Sequence, residues 1–152
     1  NKNVQDEAFT AGMLHDTGKL LLAAHLPVRY REAMAMRQKF GLQLCDAERQ
    51  VVGATHAEAG AYLLGIWGLP HSIVEAIAFH HKPSASAKQE FGTLAALHAA
   101  DMLIQECTNV QGMKDDVHLD VGYYESIGLG NAISEWRTIC IDFLSKETKI
   151  NG

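Results

Sequence analysis

Leu14-His15-Asp16-Thr17-Gly18-Lys19 contains the doublet from which the rest of the chain is read. A neutral imidazole and a carboxylate oxygen are both good ligands for a divalent cation, and adjacent residues at a helix end can aim at one point or bridge two. His-Asp occurs by chance in many chains, so the doublet takes its meaning from later residues able to partner it: His56, the pair His80-His81, and Asp101. Asp101 stands among Leu97, Ala100, Met102, Leu103 and Ile104, an apolar setting in which an ionised carboxylate is costly unless paired or metal-bound.

Around the doublet the pattern is helical. Phe9, Met13, Leu14, Leu20 and Leu21 recur near helical spacing over 6–24, while Gly12 and Gly18 interrupt the run, which predicts a helix with a weak point beside His15-Asp16. Pro27 suits the first turn of a helix over 28–40, with Arg29, Arg31, Glu32, Arg37 and Lys39 on a solvated face and Gly41 as its stop. Asp46 can cap a short helix through Val52. Thr55-His56-Ala57-Glu58 matches a capping box, which puts His56 in the first turn of a helix that carries Ala61, Leu64 and Trp67 inward and ends at Gly68. Pro70 restarts a helix through Ile73, Ala76, Ile77 and Phe79, and Pro83 forces its end just after His80-His81, leaving that pair in a last turn.

Residues 84–88 read as a loop, and 91–107 as the most continuous apolar helix, on which His98 and Asp101 share a face. Residues 109–120 read as a polar loop in which Val117, Leu119 and Val121 give only a short strand-like alternation. Asn131 can cap a closing helix with Ile133, Trp136, Ile139, Cys140 and Phe143 on one side. Every firm element is helical, so the expected fold class is all-α, a multi-helix bundle.

The bulk numbers agree with one compact domain over 1–152, since 47% of the 152 residues are hydrophobic and 20% charged. Thirteen Lys and Arg against 18 Asp and Glu give a net charge of −5, and the basic residues form no run and do not alternate with aromatics, which argues against nucleic acid as a partner. No apolar stretch approaches the roughly 20 residues that span a bilayer, and Asn1-Lys2-Asn3-Val4 lacks a secretory pattern, so no membrane is expected and the cytoplasm is the expected compartment. Cys45, Cys107 and Cys140 show no CxxC spacing and read as reduced core or surface thiols. The chain does not open on methionine and enters a helical pattern at once, which reads as a fragment.

Several separated motifs agree in order. Ala11-Gly12-Met13-Leu14-His15-Asp16-Thr17-Gly18-Lys19, Thr55-His56-Ala57-Glu58-Ala59-Gly60-Ala61, Trp67-Gly68-Leu69-Pro70 and Ile77-Ala78-Phe79-His80-His81-Lys82-Pro83 resemble the HDOD branch of the HD superfamily of metal-dependent phosphohydrolases. The resemblance runs from about Phe9 through the closing helix. It implies an HD-type bundle that lacks upstream helices of the complete domain, and a bacterial signalling role beside regulatory protein modules. His15, Asp16 and Asp101 are the implied core metal set, with Asp16 bridging to a second ion held by His56, His80 or His81.

Two ions about 3.5–4 Å apart can generate a hydroxide and stabilise a leaving oxygen in phosphoester cleavage. An active phosphohydrolase or phosphodiesterase on a nucleotide or cyclic dinucleotide is therefore the rival of the regulatory reading. On that reading Asp16 and Lys19 are the catalytic candidates, Lys19 as a cation facing the phosphate of a small molecule. Oxygen and nitrogen donors without thiolate favour Mn, Fe or Mg over structural zinc.

Two departures weaken catalysis. The cyclic-dinucleotide-cleaving HD-GYP branch follows its double histidine with an acidic residue and Gly-Tyr-Pro, whereas His81 is followed by Lys82-Pro83-Ser84; and no histidine precedes His15, where the superfamily has its first ligand. The metal is thus open to being absent from this fragment, and a purely structural helical adaptor is a third class.

Plainer roles stand beside each candidate. His15-Asp16 can be a hydrogen-bonded helix-end pair, His56 only a capping-box residue, and Lys19 a snorkelling helix lysine. Adjacent His80 and His81 diverge by about 100° on a helix, so one can ligate while the other packs. His98 reads as a satisfied core histidine, His25, His71 and His118 as ordinary polar residues, and Trp67 and Trp136 as core anchors.

Overall fold

The structure, a computed structural model, describes residues 2–108 and 119–150, without the side chains of 147–150. It is all-α, with no strand among the described residues. Helix α1 (Lys2–Leu14) and α2 (Thr17–His25) are separated by a break at His15-Asp16, so the weak point expected beside the doublet is where one helix becomes two. Then follow α3 (Pro27–Phe40), α4 (Leu44–Val51), α5 (His56–Ile66), α6 (His71–Phe79), a 3-10 turn at Pro83–Ala85, α7 (Thr93–Thr108), α8 (Val121–Ser126), a 3-10 turn at Gly130–Ala132, and α9 (Ile133–Ile150). None of these helices is long and apolar enough to cross a membrane.

Local chemistry sets the boundaries. Pro27 opens α3 and Gly41 closes it at φ 64°, a left-handed position that glycine adopts without a Cβ penalty. The capping box at the start of α5 is complete: the Thr55 hydroxyl accepts from the Glu58 N–H, and the Glu58 carboxylate accepts from the Thr55 N–H.

Four expectations need correction. The residue before α4 is Gln43, and Asp46 lies within the first turn, where its charge still meets the positive end of the helix. Asn131 falls inside the 3-10 turn that leads into α9 and is not its cap. His80 is the capping residue just past α6, so the pair follows the helix instead of filling its last turn. The strand-like alternation is absent where it is described: Leu119 is buried in the core and Val121 opens α8, while Val117, His118 and most of the expected loop (109–118) lie outside the described residues.

Helix α7 organises the interior because it is apolar on two sides. Leu94 and Leu97 join Ala11, Ala61, Leu64, Ile73, Ala76 and Ile77 in a cluster shared with α1, α5 and α6. Ala95, Ala99 and Met102 face a second cluster with Leu119, Tyr123, Tyr124 and Ile133, into which Trp136 packs. The inward row expected on α9 holds only in part, because Ile139 and Phe143 stay exposed along a groove against α7. Trp67 is no core anchor: it is 66% exposed at the end of α5.

Where α2 crosses α5 the backbones nearly touch. A Cβ on Gly18 would sit 1.8 Å from the His56 carbonyl oxygen and 2.8 Å from the Gly60 nitrogen. Gly18, read from sequence as an interruption, is what lets the doublet approach His56.

Candidate metal centre

Four segments deliver the candidate side chains to one pocket: the α1–α2 break, the start of α5, the end of α6, and the middle of α7. His15 and His80 both follow a helical carbonyl three residues back, and each uses it. The His15 Nδ1–H donates to the Gly12 carbonyl at 2.7 Å, and the His80 Nδ1–H donates to the Ile77 carbonyl at 2.7 Å. A carbonyl only accepts, so Nδ1 carries the proton in both rings and a neutral ring presents a bare Nε2.

His56 reaches the same state through Glu48 of α4. The fully buried Glu48 carboxyl takes the His56 backbone N–H and its Nδ1–H on one oxygen, both at 2.8 Å. His56 Nε2 then lies 3.5 Å from Asp16 Oδ1 and 2.9 Å from His81 Nε2. Glu48 was not singled out in the sequence. It is one carboxylate on a short helix, and neither its burial nor its partner eight residues on is visible in a pattern.

The remaining distances close the group. His15 Nε2 is 3.6 Å from Asp16 Oδ2 and 3.8 Å from Asp101 Oδ1. Ligand atoms of His15, Asp16 and His80 lie within 4.8 Å of one another, as do those of His80, His81 and Asp101. All six expected ligand residues therefore share one pocket. Lys19 lies on its edge, with Nζ donating to Asp16 Oδ2 at 2.8 Å.

Cys45 joins as well: its sulfur, His56 and His81 form a third such group within 4.8 Å. A sulfur thus stands beside donors that the sequence reading took as nitrogen and oxygen alone. Cys45 precedes Glu48 by three residues on α4, so both face the start of α5.

Burial keeps the His80 and His81 rings neutral. Burial pushes His80 down to about 3, with His15 and His56 adding to the effect, and pushes His81 down to about 2, with His80 and His56 adding. For Asp16, burial raises the carboxyl, but the Lys19 hydrogen bond and charge, with His15 and His56, outweigh it and hold it below the usual carboxylate range. Burial, with Glu48 nearby, lifts the Cys45 thiol to about 12.

The donor set suits a divalent cation on its own terms. Buried side-chain atoms ordinarily have partners. Of the four such atoms without one among the described residues, Asp16 Oδ1, Asp101 Oδ2 and His80 Nε2 belong to the pocket, and the fourth, Glu48 Oε1, belongs to the carboxyl that braces His56. Three lone-pair donors with their opposite edges already tied off are what a cation of Mn, Fe or Zn type takes as ligands.

His98 is the satisfied core histidine that the sequence suggests. Its Nδ1–H donates to the His80 carbonyl at 2.5 Å, its Nε2 accepts the Asp120 N–H at 3.1 Å, and burial lowers its pKa. It braces the backbone of His80 and offers no free nitrogen to the pocket. His25 and His71 are exposed and stand apart from the pocket.

A protein from Treponema pallidum (strain Nichols), described as an uncharacterized protein, is 26% identical over 102 residues, 65% of this chain and 19% of its own length. The chain thus spans about a fifth of the curated relative it matches. No solved structure matches. The family model of the HDOD domain matches residues 1–83, the span that carries the doublet, His56, His80 and His81, and with that match over more than half of its length the chain belongs to the HDOD domain family.

Proposed function

We propose that this chain is a cytoplasmic signalling domain of the HDOD family that keeps a divalent-metal centre, and that the centre sets the helix faces read by neighbouring regulatory modules. The observation that carries this reading is the pocket itself. The bare Nε2 atoms of His15 and His80, and the His56 Nε2 that accepts from His81, converge with buried, unpartnered oxygens of Asp16 and Asp101. His15, Asp16, His80 and Asp101 would hold one cation, and Asp16, with one oxygen toward His15 and the other toward His56, would reach a second beside His56 and His81.

Such a cation joins the α1–α2 break to the end of α6 and to α7, adding a polar tie at the break to the apolar packing, the His98–His80 hydrogen bond and the Thr93–Glu7 hydrogen bond that already link these helices. Losing it frees them to shift, and that shift is the signal in this reading.

Hydrolysis of a phosphate-containing small molecule is the second reading, favoured by the two-sided Asp16 and by Lys19 beside it. A bound pair of cations supplies an activated water and neutralises a leaving oxygen. Lys19 would steady the phosphoryl charge, and Asp16 would orient the donors around it.

Metal analysis of protein purified without chelator tests the common core of both. One or two equivalents are expected, with Asp16→Ala and Asp101→Ala each losing at least one; metal-free wild-type protein that also takes up none on dialysis against Mn²⁺ or Zn²⁺ would end the reading. Turnover of a nucleotide or cyclic dinucleotide by the loaded protein would then favour hydrolysis over regulation.

A further inference from the structure

We propose that Cys45 supplies a thiolate to the His56 and His81 end of the centre, so that this end is a thiophilic cation subsite distinct in preference from the His15, His80 and Asp101 end. The inference rests on the metal-centre reading and deepens it.

Three observations carry it. The Cys45 sulfur and ring nitrogens of His56 and His81 lie within 4.8 Å of one another. In a tetrahedral site, metal bonds of about 2.3 Å to sulfur and 2.0–2.1 Å to nitrogen put sulfur about 3.6 Å from each nitrogen and the nitrogens about 3.3 Å from one another, so the sulfur closes by up to about 1.2 Å while the two rings, 2.9 Å apart at Nε2, part slightly. His56 cannot turn away, because Glu48 holds both its backbone N–H and its Nδ1–H, which leaves Nε2 as the coordinating atom. Asp16 Oδ1 lies 3.5 Å from that Nε2, buried and without a hydrogen-bond partner, and completes a two-nitrogen, one-sulfur, one-oxygen set.

The two ends therefore differ in kind. Around His15, His80 and Asp101 the donors are nitrogen and oxygen, which suits Mn²⁺, Fe²⁺ or Mg²⁺; around Cys45 a soft ligand is added, which suits Zn²⁺, Co²⁺ or Fe²⁺. Loading breaks the Cys45 S–H bond and forms a sulfur–metal bond, with that proton leaving to solvent; the His81 Nε2 proton that faces His56 Nε2 moves by way of solvent to His81 Nδ1, and no oxidation state changes. The same exchange makes this end the more resistant to Mg²⁺ competition.

Cobalt reports a thiolate ligand directly. Reduced, chelator-stripped protein is titrated anaerobically with Co²⁺ while bound metal is counted by equilibrium dialysis and the near-ultraviolet absorption is followed. Wild type is expected to gain the intense thiolate-to-cobalt charge-transfer band. Cys45→Ser and Cys45→Ala should both lose that band yet still bind cobalt at the other end, with unchanged helical circular dichroism; two variants guard against one that fails to fold. Cobalt bound without the band in wild type, or a band that survives in both variants, would overturn the thiolate while leaving the centre standing. No cobalt bound to folded wild type would remove the centre itself, and this subsite with it.

Discussion

At the residue scale the pocket depends on groups that never face a ligand. Glu48 is fully buried and its Oε2 accepts from both the backbone N–H and the Nδ1–H of His56, while Oε1 has no partner, so removing the side chain strands two buried donors. Buried unsatisfied donors cost about 1–3 kcal/mol each, and loss of the partner that orients a metal-binding histidine typically lowers affinity about 10–100-fold. Glu48→Ala is therefore expected to lower unfolding free energy by about 3 kcal/mol and to weaken Zn²⁺ binding in that range, read by urea unfolding and by competition with a chromophoric chelator. Unaltered affinity in a folded variant would show that His56 needs no brace. A pH effect follows from His80. Folded, it stays neutral down to about 3; unfolded, it protonates near 6.5. The unfolded chain thus binds more protons as pH falls below about 6.5, and stability declines across the window from there toward 3. At about 1.36 kcal/mol per unit, His80 alone removes about 2 kcal/mol between pH 6.5 and 5, and His81 acts in the same direction. Urea unfolding of chelator-treated protein at the two pH values checks this, and equal stability would contradict the neutral, buried rings.

At the element scale the crossing of α2 and α5 is the tightest contact in the site. An alanine Cβ at position 18 meets backbone, which cannot rotate aside, only 1.8 Å away. Gly18→Ala is expected to cost on the order of 3 kcal/mol or more and to separate Asp16 from His56. Gly12→Ala is its control: nothing lies within 4 Å, and replacing a helical glycine stabilises by about 0.5–1 kcal/mol. Thermal melts of the two variants should move in opposite directions, and a Gly18→Ala protein as stable as wild type would refute the close crossing. Element ends were legible in sequence where one residue dictates backbone geometry, as at Pro27, Gly41 and the Thr55–Glu58 box. They were less so where the cap is weak: α4 begins after Gln43 with no side-chain cap, and Asp46 looked the better candidate. The meaning of Gly18 was hidden for another reason, since a close approach belongs to two elements and only one of them is local in sequence.

At the scale of the whole molecule, the all-α class could be read from helical periodicity, whereas the meeting of the doublet with His56, His80-His81 and Asp101 was implied by the family resemblance that the ordered motifs carry. Burial of α9 could not, because Ile139 and Phe143 have the spacing of core residues yet remain exposed beside α7. Nor could Glu48 and Cys45, whose importance comes from α4 lying against α5. If four distant segments close around a cation, crystals of chelator-stripped protein soaked in Mn²⁺ will give an anomalous-scattering peak in contact with Asp16 and Asp101 and within bonding distance of His15 or His80 Nε2; Mn²⁺ density confined to surface carboxylates, with this pocket filled by water, would mean that they do not.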